Sequence, residues 1–338
     1  MSSTPSMPPT PSMPPMPSWR SWHRPLVVFS AAMAALAVVS AVGLVVDGRV
    51  LVGAPIWAKP FKFSVSFVAY CLTLAWMLTL LTRGQRIGRW AGHAVVLTSL
   101  VEMVIITVQV VRGKRSHFNT ATTFDATLWQ AMGMTIIVLW VATLVIAVLL
   151  VRTRIADRAT ALAVRGGLLI AMAGAALGFL MTLPSRSRQA AGGLDAADTM
   201  GAHSVGVPDG GPSMPLTGWS TTGGDLRAPH FVGMHALQLI PLLLIALVLL
   251  APRFAPLRDP GVRLRLLRVA VGGYAALVAL ITWQALRGQP LIHPDAITLA
   301  TAGAILAAVA YGTWRALRPT APARPPRTAS SADKESVA

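Results

Sequence analysis

Eight stretches of this chain run for roughly 20 residues almost without charge, which is the length a helix needs to cross the hydrocarbon core of a bilayer. They are 26–46, 63–81, 90–111, 128–151, 166–183, 231–251, 269–286 and 297–317. Backbone inside hydrocarbon must satisfy its own hydrogen bonds, and a helix does so within one segment. The fold these runs predict is an all-α integral membrane protein, a bundle of about eight transmembrane helices. The seventh run is the weakest, being short and interrupted by Gly272 and Gly273. Hydrophobic residues make up 54% of the chain and charged ones 12%, roughly half the charged share of a soluble domain, so the lipid bilayer is the expected surrounding.

The formal net charge of +17 would suggest a nucleic-acid partner on a soluble protein, but here the cations fall between apolar runs and read as topology signals. With the N-terminus in the cytoplasm, 19 of the 29 Lys and Arg residues fall on the inner side. The expected setting is therefore the inner membrane of a bacterium with both termini cytoplasmic. Residues 1–24 form a Pro/Met-rich tail in which Thr-Pro-Ser-Met-Pro-Pro occurs twice, at 4–9 and 10–15, a composition that favours a solvated, extended chain. Residues 25–318 form the membrane domain with a long outer loop, 184–230, and 319–338 form a second disordered tail. The first half of that loop reads as flexible, and its second half as a structured segment able to fold back as a lid. A single cysteine, Cys71, excludes an intrachain disulfide and any thiolate metal site.

Against this apolar background a few polar groups stand out. Glu102 falls near the middle of the third run, where an ionisable side chain must be neutral, paired or wet and is a functional candidate by default. Thr98, Glu102 and Gln109 share one helical face with Ile106, a stripe that should point into the bundle. Interhelical hydrogen bonding is the plainer account of the same residues. Arg112, Lys114 and Arg115 follow immediately, on the side where cations are disfavoured, with His117, Asn119 and Asp125 close behind. They fit either an anionic ligand or ion pairing of the cations with Asp125 and Asp225.

The run from Gly223 to Gln238 turns the long loop into the sixth helix and carries Asp225, Arg227, His230, His235 and Gln238. Pro229 suits a first helical turn, and the positive helix end beside Arg227 suits an anion or carboxylate. His235 and Gln238 share a face, whereas His230 and His235 do not. Trp57, Lys59 and Lys62 read as an aromatic and snorkelling-lysine anchor rather than as a chemical site. Trp283 and Gln284 read either as a belt residue and a bundle contact or as residues that close the same cavity. Gly174 and Gly178 form a small-residue pair expected to serve packing inside one bundle.

A haem or transition metal on His117, His230 and His235 is a possible cofactor arrangement, although no compact ligand spacing occurs. A pair of haems is disfavoured, since His93 has no evident partner at its end of the membrane. No phosphate loop, nucleophile elbow or zinc-protease pair is present.

The runs Trp57-Ala-Lys-Pro-Phe-Lys-Phe-Ser-Val-Ser66, Arg112-Gly-Lys-Arg-Ser-His-Phe-Asn119 and Gly223-Gly-Asp-Leu-Arg-Ala-Pro-His-Phe-Val-Gly-Met-His235 resemble those of bacterial multi-pass membrane proteins to which no activity is assigned. The resemblance spans roughly residues 50–290 and implies a bacterial membrane protein without implying a reaction. The residues themselves point to an outward-facing polar site that binds or transports a small polar or anionic solute, with Arg112 and Arg227 holding the anion and Glu102 exchanging a proton. The alternatives are a membrane oxidoreductase with one outer histidine-ligated haem or metal, and a structural or assembly protein whose polar groups join helices.

Overall fold

The computed structural model of the protein describes residues 18–183 and 200–318. The proline-rich repeat, the first part of the long loop at 184–199 and the tail at 319–338 lie outside the described residues. Among the described residues eight helices are long and apolar enough to cross a membrane: α1 Arg24–Val46, α2 Ala58–Leu78, α3 Gln85–Arg112, α4 Thr123–Arg152, α5 Arg158–Leu180, α6 Arg227–Leu250, α7 Pro260–Leu286 and α8 Ala296–Leu317. Strand is limited, among the described residues, to two short hairpin pairings. One joins β1 Val50–Leu51 to β2 Ala54–Pro55, the other β3 Ser204–Val205 to β4 Gly224–Asp225.

Several helices start earlier than their apolar runs, and local chemistry accounts for it. Pro60 sits in the first turn of α2, where its missing N–H is no loss, so the helix begins at Ala58 and takes in both lysines. Thr122 caps α4 by accepting from the Asp125 N–H at 3.1 Å, while the Asp125 carboxylate accepts from the Thr122 hydroxyl at 2.8 Å. Asp157, Asp259 and Asp295 cap α5, α7 and α8 through their carboxylates. With Asp259 as its cap, α7 spans 27 residues, roughly 40 Å, which is ample for a crossing despite its two glycines. Residues 18–24, expected to belong to a tail without structure, are described and hold local structure. A short 3-10 turn, Trp19–Ser21, leads to His23, whose ring accepts from the Leu26 N–H at 3.4 Å and caps α1.

The bundle divides into two packed groups that share α5. Leu26, Phe67, Cys71, Leu74, Val95, Ile106, Ile146 and Leu168 belong to the core of α1–α5, and Ala163, Ile170, Ala236, Ile240, Leu267 and Val278 to that of α5–α7. The closest approach is between α5 and α6, where a Cβ on Gly174 would lie 2.5 Å from the backbone of Gly233. The small-residue pair therefore serves packing within one bundle: Gly174 meets Gly233, and a Cβ on Gly178 would lie 3.0 Å from the His230 ring. α8 stands at the edge against α7, with Leu299, Leu306 and Tyr311 on exposed faces.

The connections gather by kind at the two ends. Those at 47–57, 113–122, 200–226 and 287–295 form the loop end, tied together by Arg49 donating to the Val111 carbonyl, Met200 N–H to the Phe118 carbonyl and Lys62 to the Thr217 carbonyl. The opposite, basic end carries the short arginine-rich turns, with Arg165 donating to the Thr153 carbonyl and Arg265 to that of Ala316.

Candidate functional site

Glu102 lies on the buried face of α3, along with Thr98, Ile106 and Gln109, so the polar stripe points into the bundle as its spacing requires. Its side chain is fully buried, and among the described residues neither carboxyl oxygen has a hydrogen-bond donor. His117 Nε2 lies 3.4 Å from Oε1, close enough for attraction but not aligned as a hydrogen bond. Lys59, the second residue of α2, lies within electrostatic reach of the same carboxyl. Its ammonium sits 5.6 Å from the centre of the Phe63 ring. The expected membrane-anchor role of Lys59 gives way here, because the early start of α2 carries it onto the bundle side.

His117 is held by aromatic rings rather than by charges. Phe63, Trp129 and Phe118 approach it with centroids 5.9, 5.7 and 6.0 Å away, while Ser116 Oγ lies 3.3 Å from Nδ1. Phe118 adopts a left-handed backbone with φ of 60°, a costly conformation for a residue with a Cβ. Its ring, buried between Trp129 and His203 at 4.9 Å from each, fixes that conformation, and its carbonyl accepts from Met200 N–H. Burial, followed by the neighbouring Lys59, His203 and His230, holds the His117 imidazole well below the ordinary value of 6.5.

Above this pocket lies His203, from the part of the long loop that the sequence marked as flexible. Its Nδ1 is 3.1 Å from Asp209 Oδ2, and the Asp209 carboxylate also accepts the backbone N–H groups of His203 and Ser204 at 3.1 and 2.9 Å. Burial works against ionisation of Asp209, but these donors prevail and hold its carboxyl far below the usual range. Burial keeps His203 itself below its ordinary value, against the pull of Asp209. An ionised Asp209 accepting from Nδ1–H leaves His203 Nε2 with a free lone pair, the tautomer of a proton acceptor. Lys59, His203 and Asp209 were not among the sequence candidates. The turn signal Val207-Pro208-Asp209-Gly210 was the mark that could have placed structure in this loop.

The other candidates form two clasps around the pocket. In the first, the Asp125 carboxylate accepts from Arg112 at 2.6 Å, Gln109 at 2.8 Å and the Thr122 hydroxyl. Arg112 also covers the Phe124 ring, while Asn119 closes the turn by bonding the Arg115 carbonyl and the Ala121 N–H. In the second, Arg227 grips Asp225 through Nε–Oδ1 at 2.9 Å and Nη2–Oδ2 at 2.6 Å, reaches the Gly218 carbonyl, and Asp225 accepts the Ser220 N–H. The geometry is that of ion pairing within the chain: both arginines expected to hold an anion face a carboxylate of their own protein. At the loop end of α7, Gln284 is buried and bonds the Pro290 carbonyl, and Trp283 is half exposed beneath Arg287.

His117, His203 and His230 lie within electrostatic reach of one another, but their ring nitrogens do not meet at one point. His230 Nδ1 lies 2.8 Å from the Gly174 carbonyl, and His235 pairs with Gln238 at 3.3 Å against the Phe231 ring. Among the described residues no group of three His, Cys, Asp or Glu side chains is placed to hold a metal ion. His93, read as lacking a partner, does have one: the His23 ring meets it edge to face at 4.8 Å. That pair is tied to helix ends, His23 capping α1 and His93 Nδ1 lying 2.7 Å from the Arg89 carbonyl.

Eight membrane-length helices enclosing a buried carboxyl, with a lysine and imidazoles at one end of the bundle, define a multi-pass all-α membrane protein with an internal polar site. No family model, curated protein or solved structure matches the chain.

Proposed function

We propose that the protein binds a small polar solute, anionic ones included, at the loop end of the bundle and passes it across the membrane together with a proton exchanged by Glu102. One observation carries this reading: a carboxyl buried in the bundle finds no hydrogen-bond donor among the described residues, yet faces Lys59 and His117. A side chain that merely joins helices would have its hydrogen bonds made by the neighbouring helix, as Gln109 does with Asp125 of α4. Since Arg112 and Arg227 are engaged by Asp125 and Asp225, Lys59 is the cation we assign to the solute, with His117 and the His203–Asp209 pair as proton acceptors. Arginine placement, and the resemblance of the three motifs to those of bacterial membrane proteins, support a bacterial inner membrane with both termini in the cytoplasm.

The test is proton movement in proteoliposomes that enclose a pH-sensitive dye, challenged with gradients of acetate, succinate, glycine and ethanolamine. A solute-dependent pH change is expected with the natural protein and its loss with Glu102→Gln, which keeps the side chain's size and folds. Equal proton movement in the variant, or none with any of the four solutes, would overturn the proposal in favour of a structural role.

A further inference from the structure

The basic end of the molecule carries a second built feature, independent of the Glu102 pocket. Between α7 and α8 an open groove of about 660 Å³ is lined by Arg265, Arg268, Arg315 and Arg318 above Val269, Gly312 and Ala316. Gly312 is what lets the helices close beneath it, since a Cβ there would stand 2.9 Å from the Val269 side chain. The four guanidiniums are not equivalent. Arg265 is fixed by donating to the Ala316 carbonyl through Nε at 3.1 Å and Nη2 at 3.0 Å, and Asp259 lies 4.0 Å away. Arg318 lies over the Trp314 ring, its Cζ 3.5 Å from the centre. Among the described residues no carboxylate lies within 4.0 Å of Arg268, Arg315 or Arg318, and all three are exposed.

We propose that this groove binds the phosphate of an anionic lipid headgroup. Guanidinium groups present paired donors that match phosphate oxygens, and this cluster holds more positive charge than its single nearby carboxylate can offset. The position favours a lipid over a soluble phosphate. Tyr311 and Trp314, 62% and 50% exposed, mark the depth at which aromatic side chains meet headgroups. From there the outer face of α8 continues into the bilayer with Leu306 exposed, a surface along which an acyl chain can lie. Basic pockets between helices at a membrane face are suited to such headgroups.

The experiment uses the full chain in detergent, with lipid retention measured by native mass spectrometry during titration with phosphatidylglycerol, with phosphatidylcholine of the same acyl chains, and with inorganic phosphate. One phosphatidylglycerol per chain is expected to survive conditions that strip phosphatidylcholine. Its apparent Kd should weaken by at least about tenfold in the Arg268→Gln, Arg315→Gln double variant, two residues whose side chains make no hydrogen bond or ion pair among the described residues. A matched loss of two exposed charges elsewhere at the same end, Arg86→Gln with Arg253→Gln, should leave the Kd unchanged. Unfolding is separated from lost binding by the thermal transition, which the groove variant should keep in lipid-free detergent. Equal retention of the two lipids, equal weakening in both double variants, or displacement of phosphatidylglycerol by millimolar phosphate would each overturn the proposal.

Discussion

His203 and Asp209 show how a loop can carry a proton-sensitive group without a helix to hold it. Asp209 takes three donors from the two residues His203 and Ser204, so the pair is fixed by the turn that contains it. His117 and His203 are both kept neutral in the folded protein below the ordinary value of 6.5, chiefly by burial. The unfolded chain therefore binds more protons than the folded one once the pH falls under 6.5, and stability must fall with it. Each of the two histidines contributes a slope of up to about 1.4 kcal/mol per pH unit in that window. The expected result is a thermal midpoint that is flat above pH 7.5 and drops on acidification towards pH 5.5, with a shallower drop in His117→Gln. A slope unchanged by that substitution would mean that the imidazole takes up its proton without cost. Asp209 acts in a separate window: its contribution is complete above the ordinary carboxyl value of 3.8 and is lost as the pH falls further. The contrast between Glu102 and His203 also shows what a sequence of this kind makes visible. A carboxyl inside an apolar run stands out because hydrocarbon penalises it, whereas a histidine in a polar loop stands against nothing, and only folding brings it over the pocket.

At the scale of helices, the decisive contact is the crossing of α5 and α6. Gly174 and Gly233 bring the two backbones together, and the His230 ring fills the space beside Gly178 while bonding the Gly174 carbonyl at 2.8 Å. A side chain at either crossing glycine has nowhere to go, since the atoms it would meet are backbone. Gly174→Leu is expected to lower stability by about 1–3 kcal/mol or more, visible as a reduced thermal midpoint in detergent. Gly272→Ala in α7 is the control: nothing lies within 4 Å of the added methyl, and alanine favours helix by about 1 kcal/mol over glycine. If Gly174→Leu behaved like that control, the close crossing would not exist. The number and approximate place of the helices were legible because the apolar runs are long and separated by arginines. Their starts were not, since Pro60, Thr122 and Asp259 extend α2, α4 and α7 through polar residues that a hydropathy argument discards. That extension is why Lys59, read as an anchor, ends up beside Glu102.

Over the whole molecule, polarity is sorted by end. At the loop end several arginines are held in internal clasps, Arg112 with Asp125, Arg227 with Asp225 and Arg287 with Asp295, whereas the basic end leaves Arg268, Arg315 and Arg318 open. Cations on the disfavoured side of a membrane are tolerable when carboxylates of the same chain neutralise them, and unpaired cations belong in the cytoplasm. This sorting predicts an orientation that can be read directly, because Cys71 is fully buried and gives little background to thiol labelling. A cysteine placed at the exposed loop-end position Ser213 should react with a membrane-impermeant maleimide in right-side-out bacterial spheroplasts. One placed at Arg253, exposed at the basic end, should react only after the membrane is opened. The reverse pattern would turn the molecule over, put the Glu102 pocket in contact with the cytoplasm, and move the arginine groove between α7 and α8 to the outer leaflet. Equal labelling of both positions in sealed spheroplasts would mean that the protein inserts in both directions, and that the paired loop-end charges are too well neutralised to set its topology.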